Sequence, residues 1–348
     1  MANRPLYIFK VPAYKPFTIK GIEVLELRRI QETGGGTVLV SLPKGWAERV
    51  GVKKGAVVAM SEREDGSILV DPRYGVEQAP KTAVISPTKN VRREITSRYL
   101  LGYDIIQVTT KERIHPNLRD DIKNAVRRLV GLEIIEENAR SMTIQFLLEP
   151  SGFPPERILR REYLIAGGMH RDAISSLEEE DEHLAKMVAE RDEEVDRLYF
   201  LLVRLLRAII QNPRLGDSIG LSPLDCLDYR LVASFVEAIG DGSAEVAQAL
   251  HGKGQVSLPK DFVSKLKAVS DEIYSMHEGA MRAFFTRNLS LAEEIIDKKD
   301  SIDRSLQSLA GLISGESQKA LTLSSIVLGS LDRIVDHAID IADSLTPK

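Results

Sequence analysis

The spacing of apolar positions changes character twice along the chain. Between residues 21 and 75 apolar and polar residues alternate in IEVLELRRI and in TVLVSL, and AVVAMSERE and SILVDP read as two further strands. Alternation with a period of two marks half-buried strands. The three glycines of GGGTVLV predict a hairpin turn, and Glu64-Asp65-Gly66 predicts a second one. Between the hairpins Pro43 ends the ladder, KGWAERVGV reads as one short helix closed by Gly51, and Lys54-Gly55 is a turn. The order is β-β-α-β-β. A unit this small has little room for a core, so it is expected to pair with a second copy and form a homodimer.

From 76 to 150 strand and helix patterns alternate: TAVIS, NVRREITSRYLLG, DIIQVTT, HPNLRDDIKNAVRRLVG, GLEIIEE and MTIQFLL. This is the signature of a small α/β domain. SGFPP at 151–155 reads as a linker. After residue 156 no segment alternates, and long helical patterns run to the end of the chain, as in REYLIAGGMHRDAISSLEEEDEHLAKMVAERDEEVDRLYFLLVRLLRAI. That half is a helix bundle. The expected fold class is multidomain α+β.

The helical half repeats itself. Met169-His170 and Asp196 in ERDEEVDRL recur 107 residues later as Met276-His277 and Asp303 in DKKDSIDRS. FVEAIGDGSAEVA, at 235–247, matches SLDRIVDHAIDIA at 330–342. The first copy has a longer insertion, NPRLGDSIGLSP, read as a loop. Two three-helix units, at 156–250 and 256–348, are expected to pack as one bundle.

The repeated polar positions are acidic. Glu237 with Asp241, and Asp332 with Asp336, are carboxylates four residues apart and so share a helix face, where like charges repel unless a cation intervenes. The second helix of each copy adds Glu190, Glu193 and Asp196, then Asp297, Asp300 and Asp303. Oxygen donors converging from neighbouring helices suit hard cations such as Mg, Mn or Fe. Any one such pair is an ordinary solvated surface; recurrence at equivalent places in two repeats favours a site. His170 and His277 recur beside methionines on the packing face and are expected to be structural.

Charge sharpens the division. Residues 1–148 carry 24 Lys+Arg against 17 Asp+Glu, and residues 149–348 carry 23 against 34. A basic half and an acidic half predict different partners. One cysteine, Cys226, excludes an internal disulfide and fits a reducing cytosol. The start shows no apolar leader core, and the greasiest stretch, LYFLLVRLLRAII, contains Arg204 and Arg207 and is too short to cross a bilayer. A cytoplasmic protein without membrane insertion is expected. No nucleophile–histidine–acid set stands out, so an enzyme is not expected. GGGTVLVSLPKG is not a nucleotide-binding loop: its glycines lead into a strand, and Lys44 is followed by Gly45-Trp46 rather than Ser or Thr.

ERDEEVDRL, VEAIGDGSAEVA and DRIVDHAIDIAD resemble the paired three-helix repeats of the PhoU phosphate-uptake regulators, over about 156–348. The resemblance implies an E/D-x-x-x-D metal motif on the third helix of each repeat, falling on Glu237 and Asp241 and on Asp332 and Asp336. It implies a carboxylate-held divalent or ferric ion, of which Fe, Mg, Mn and Zn are the candidates. ELRRIQETGGGTVLVSLPKGWAERVGVKKGAVV resembles the AbrB/SpoVT swapped-hairpin DNA-binding domain. There the resemblance implies exchange of hairpins between two chains and DNA contacts from Arg28, Arg29, Lys44, Arg49, Lys53 and Lys54. An AbrB-like unit joined to PhoU-like repeats is similar to archaeal PhoU-type regulators. Two readings follow: a DNA-binding regulator that senses phosphate status through its bundle, or an adaptor that docks on a phosphate transporter's ATPase or a sensor kinase without touching DNA.

Overall fold

The structure is a computed structural model that describes residues 26–62, 66–72, 79–250 and 258–345. The chain divides into two compact units, Met1–Ala79 and Pro80–Lys348.

In the first unit, β1 (Gln31–Glu32) pairs antiparallel with β2 (Val38–Leu39), α1 spans Lys44–Val50, and β3 (Ala59–Glu62) pairs antiparallel with β4 (Ile68–Asp71). The expected order is present, but β1 and β2 are two residues each, far shorter than the alternating pattern suggests. Of the three glycines only Gly36 takes a left-handed conformation, at φ 79°. Gly51 closes α1 in the same region, at φ 76°, as its sequence position predicts. The turn at Glu64-Asp65 and the first half of IEVLELRRI lie outside the described residues.

None of the described residues of this unit is buried. Leu27, Ile30, Val38, Leu39, Val40, Leu42, Val57, Met60 and Ile68 are exposed. A ladder gains stability from side-chain packing on at least one face. The described residues of β1 and β2 are all exposed and their pairing stops after two residues, whereas β3 and β4 pair over four.

The second unit begins with the α/β layer: β5 (Thr82–Ile85), α2 (Val91–Leu100), β6 (Ile105–Thr109), α3 (Pro116–Arg127), β7 (Leu132–Glu137) and β8 (Ser141–Phe146). The sheet order is β5-β6-β8-β7, with β5 and β6 parallel around α2 and the other neighbours antiparallel. Alternate residues face the core: Ala83 and Ile85, Ile106 and Val108, and Met142, Ile144 and Phe146 are buried. Pro116 stands at the first turn of α3, where its missing N–H costs nothing.

Residues 151–155 do not separate this layer from the helices. Pro150–Gly152 form a single 3₁₀ turn, α4 (Pro155–Glu178) starts at once, and one hydrophobic core runs from Ile85 to Ala342. The second of the two prolines opens a helix instead of extending a linker. Arg204, on α5 (Glu182–Gln211), fastens the layer to the bundle. Its Nη1 donates to Tyr99 O at 2.6 Å and Tyr103 O at 2.9 Å, and the guanidinium lies 3.8 Å from the Phe146 ring centroid.

The bundle continues through α6 (Pro213–Ile219), α7 (Pro223–Leu250), α8 (Lys260–Thr286), α9 (Leu289–Ile296), α10 (Lys299–Leu312) and α11 (Gln318–Asp343). Repeat 1 is α4, α5 and α7; repeat 2 is α8, α9 with α10, and α11. The insertion read as a loop contains helix α6, opened by Pro213 and closed by Gly220 at φ 76°. The repeats meet along α4–α8 and α7–α11. At the second contact, a Cβ on Gly242 would stand 3.1 Å from Ile334 Cγ1, so a glycine there allows the close approach.

His170 and His277, equivalent in the duplication, hydrogen-bond to each other at 2.9 Å where α4 meets α8. Tyr163 Oη closes one end of the chain on His277 Nδ1 at 3.0 Å, and Ser270 Oγ closes the other on His170 Nε2 at 2.9 Å. Tyr163 and Ser270 are themselves equivalent positions. Among the described residues no helix is long and apolar enough to cross a membrane.

Candidate functional site

The acidic face of repeat 1 forms where α5 runs beside α7. A fully helical α5 places Asp192 and Asp196 one turn apart, and α7 does the same for Glu237 and Asp241. The Asp192 and Asp241 carboxyl groups lie close enough for each to act on the other's ionisation. Burial, then the charges of Asp241 and Asp196, pushes the Asp192 carboxyl up to about 6. Burial, then Asp241, Asp196 and Asp192, pushes Glu237 up to about 7, against the pull of Arg230. Asp241 is also raised, chiefly by burial.

Behind this face Glu162, on α4, is completely buried, and neither carboxyl oxygen has a hydrogen-bond partner. Burial and then Glu237 hold it well above the usual carboxylate range. A neutral carboxylic acid is the form such a position tolerates.

One cation approaches from the α/β layer. Arg128, after α3, reaches Asp196 Oδ2 at 2.8 Å and Glu193 Oε1 at 3.6 Å. Glu190 faces solvent and pairs with Lys186 at 3.8 Å within its own helix.

Repeat 2 has a different composition. Lys299 Nζ lies 2.5 Å from Asp336 Oδ1 and 3.7 Å from Asp303 Oδ2. Asp332 also acts on this ammonium, which is held above its ordinary range chiefly by the hydrogen bond to Asp336. Asp300 and Asp297 are exposed. Of the predicted metal residues, Asp196, Glu237 and Asp241 converge in repeat 1, and Asp303, Asp332 and Asp336 in repeat 2; Glu193 and Asp300 stand at the margins.

The donors are hard oxygen atoms throughout. Among the described residues, however, no group of three or more His, Cys, Asp or Glu is gathered closely enough to hold a metal ion. In repeat 1 no Lys, Arg or His stands within 4.0 Å of Asp192, Glu237 or Asp241 among the described residues. In repeat 2 a lysine already stands among the carboxylates.

Glu237 carries a pH dependence whose sign can be worked out. Its folded pKa is raised from 4.5 to about 7. The stability contribution is therefore full below the unfolded value and is lost as pH rises through the folded one. Glu237→Gln should stabilise the bundle at pH 8 by on the order of 1 kcal/mol in chelator, after allowance for solvent screening, and by nothing at pH 4. Urea unfolding at the two pH values checks this; equal effects at both would show that Glu237 is not held protonated.

The six basic residues of the first unit, Arg28, Arg29, Lys44, Arg49, Lys53 and Lys54, are all exposed. Arg28 pairs with Glu26, and Lys44 with Glu48 at 3.8 Å. Arg49 is in the last turn of α1, and Lys53 and Lys54 form the turn closed by Gly55, where Ala56 N donates to Lys53 O at 2.9 Å.

Reasoning from sequence missed four of the residues that shape these sites. Asp192 precedes Asp196 by four residues, the spacing already used for α7, and could have been found by it. Lys299 is at the matching position in repeat 2 and could have been found by comparing the copies for differences. Arg128 and Glu162 gave no local signal, because their neighbours are distant in sequence.

Residues 159–250 and 266–345 both match the PhoU domain family. Among characterised proteins, the chain is 24% identical over 201 residues to the phosphate-specific transport system accessory protein PhoU homolog of Clostridium acetobutylicum, covering 53% of this chain and 88% of that protein. It is 25% identical over 182 residues to PhoU homolog 1 of Methanothermobacter thermautotrophicus, covering 50% and 81%. The crystal structure of the phosphate transport regulatory protein PhoU of Streptococcus pneumoniae aligns with a TM-score of 0.48 at 19% identity, over 55% of this chain and 91% of that one.

Proposed function

We propose that this chain is a non-enzymatic accessory regulator of phosphate transport that works as an adaptor in the cytoplasm, docking through its helical half on a phosphate transporter's ATPase or on a sensor kinase. The observation that carries this reading is the paired match to the PhoU domain, which accounts for both halves of the bundle. The acidic balance of residues 149–348 suits basic partner surfaces. The test is a pull-down with the full chain from cells grown with and without phosphate. Recovery of a transporter ATPase or kinase, lost on charge reversal across α7 and α11, is the expected result. Failure to recover either under both conditions would overturn the reading.

The first unit serves as a dimerisation module. Its described residues bury nothing while exposing a run of aliphatic side chains, and a second copy of the same hairpins could cover them. A hard metal ion would be held in repeat 1 by Asp192, Glu237 and Asp241, with Asp196 beside them. There it would neutralise the carboxylates and fix α5 against α7.

A second reading, DNA binding by the first unit, is favoured by Arg29, Arg49, Lys53 and Lys54, four exposed cations with no acidic partner within salt-bridge distance among the described residues. Phosphate contacts from such groups predict binding that weakens steeply with salt. Loss of low-salt binding on Lys53→Ala/Lys54→Ala would support it, and absence of any low-salt binding to duplex DNA would exclude it.

A further inference from the structure

Aligning the second helices of the two repeats at their offset of 107 residues pairs Asp196 with Asp303 and Glu193 with Asp300, and it pairs Asp192 with Lys299. One position in an otherwise equivalent acidic face has therefore reversed its charge. Lys299 opens α10, immediately after the break at Asp297–Lys298 that divides the second helix of repeat 2. From there its ammonium lies 2.5 Å from Asp336 on α11 and 3.7 Å from Asp303 on α10. It bridges two of the helices that an external cation would have to bridge.

The counterpart in repeat 1 has the opposite character. Asp192 adds a fourth carboxylate to Asp196, Glu237 and Asp241 and lies beside that of Asp241. Arg128 covers Asp196 and Glu193 from the side. Asp192, Glu237 and Asp241 have no Lys, Arg or His partner within 4.0 Å among the described residues; Arg230 acts on Glu237 only from a longer range. Glu162 is completely buried with both carboxyl oxygens unpartnered, near enough to Glu237 to feel its charge.

We infer that the two carboxylate faces have diverged: repeat 2 carries its own tethered cation, Lys299, in the place of a metal ion, and only repeat 1 draws a hard cation from solution. The physical basis is charge. A metal ion entering repeat 2 must displace an ammonium already in contact with two carboxylates or be repelled by it, whereas one entering repeat 1 meets the Asp192 carboxylate at that position. The paired PhoU resemblance implies equivalent metal motifs, and the residues of repeat 2 do not fit that expectation. The inference rests on the proposed metal reading for repeat 1 alone, and the experiment separates the two.

The probe is Mn²⁺, followed by electron paramagnetic resonance and by equilibrium dialysis of the full-length, chelator-treated protein. The unsubstituted protein should bind one equivalent tightly, lost in Glu237→Gln/Asp241→Asn and retained in Asp332→Asn/Asp336→Asn. Lys299→Asp, which installs the residue of repeat 1, should bind a second equivalent, lost again when Asp336→Asn is added. Lys299→Met removes the ammonium without adding a donor and should raise Mn²⁺ affinity at repeat 2 at least tenfold; its Tm should fall in chelator and recover with Mn²⁺.

Loss of tight Mn²⁺ from Asp332→Asn/Asp336→Asn alone would overturn the inference. So would the absence of a gained site in both Lys299 variants while their circular dichroism remains native. If the unsubstituted protein binds no Mn²⁺ but the Lys299 variants gain it, the reading for repeat 1 fails and the tethered-cation assignment stands.

Discussion

Arg204→Met is expected to lower the unfolding free energy by about 3 kcal/mol, the loss associated with stripping a buried charged donor from its acceptors. Arg204 is 4% exposed, and its guanidinium supplies hydrogen bonds to two main-chain carbonyls, Tyr99 O and Tyr103 O. Tyr99 O lies in the last turn of α2, where it also accepts from Gly102 N at 3.0 Å, and Tyr103 O lies just beyond the helix. Methionine fills much of the space between the rings of Tyr99 and Phe146, so the loss isolates the polar contacts from the packing. Lysine would restore the contacts only in part, because an ammonium lacks both the planar group lying 3.8 Å from the Phe146 ring centroid and the second nitrogen that reaches Asp104 Oδ1 at 3.4 Å. Urea unfolding measures the change, and amide exchange should place the earliest loss of protection in α2 and β6. A change below about 1 kcal/mol would mean that the layer is held by apolar packing alone.

His277→Leu is expected to cost about 3 kcal/mol at pH 7.5, because it strands Tyr163 Oη and one nitrogen of His170 in a fully buried site. His170 and His277 are 1% and 0% exposed. Burial, then the charge of Arg171, pushes His170 down to about 4, and burial, then His170 and Arg171, holds His277 well below its ordinary range. Both imidazoles are thus neutral in the folded state and charge on unfolding. A base whose folded pKa is depressed contributes stability that is complete above its unfolded value of about 6.5 and is lost as pH falls below it. Each histidine adds a slope of roughly 1.4 kcal/mol per pH unit in that window. The difference between the native protein and the variant should therefore be largest at pH 7.5 and shrink toward pH 5. Unfolding curves at the two pH values check it, and a pH-independent difference would show that the histidines are not kept neutral by the fold.

These two expectations differ in how far the sequence anticipates them. The recurrence of Met-His at an offset of 107 residues is enough to place His170 and His277 on equivalent packing faces. That they touch, and that the equivalent Tyr163 and Ser270 close the chain of hydrogen bonds, follows only once α4 lies against α8. Arg204 and Arg207 in LYFLLVRLLRAII read as interruptions of a greasy helix. Their partners lie about a hundred residues away in the α/β layer, and no local pattern links them.

The elements of the α/β layer, the helices α4 to α11 after it and the duplication are all written in periodicity, because a strand or helix with one buried face must space its apolar residues at 2 or 3.6. The same signal fails in the first unit, where alternation continues well beyond the few residues that pair. Alternation reports which face a strand would bury, and among the described residues nothing buries it.

The carboxylate faces divide in the same way. Composition and helical spacing by themselves determined which acids share a face, Glu237 with Asp241 and Asp332 with Asp336. Only the tertiary structure decided their state. It set Lys299 between Asp303 and Asp336, brought Arg128 from the neighbouring layer onto Asp196, and placed Asp192 beside Asp241. Spacing within a helix is fixed by local backbone geometry, whereas the charge a carboxylate bears depends on every group within a few ångströms, and most of those arrive from elsewhere in the chain.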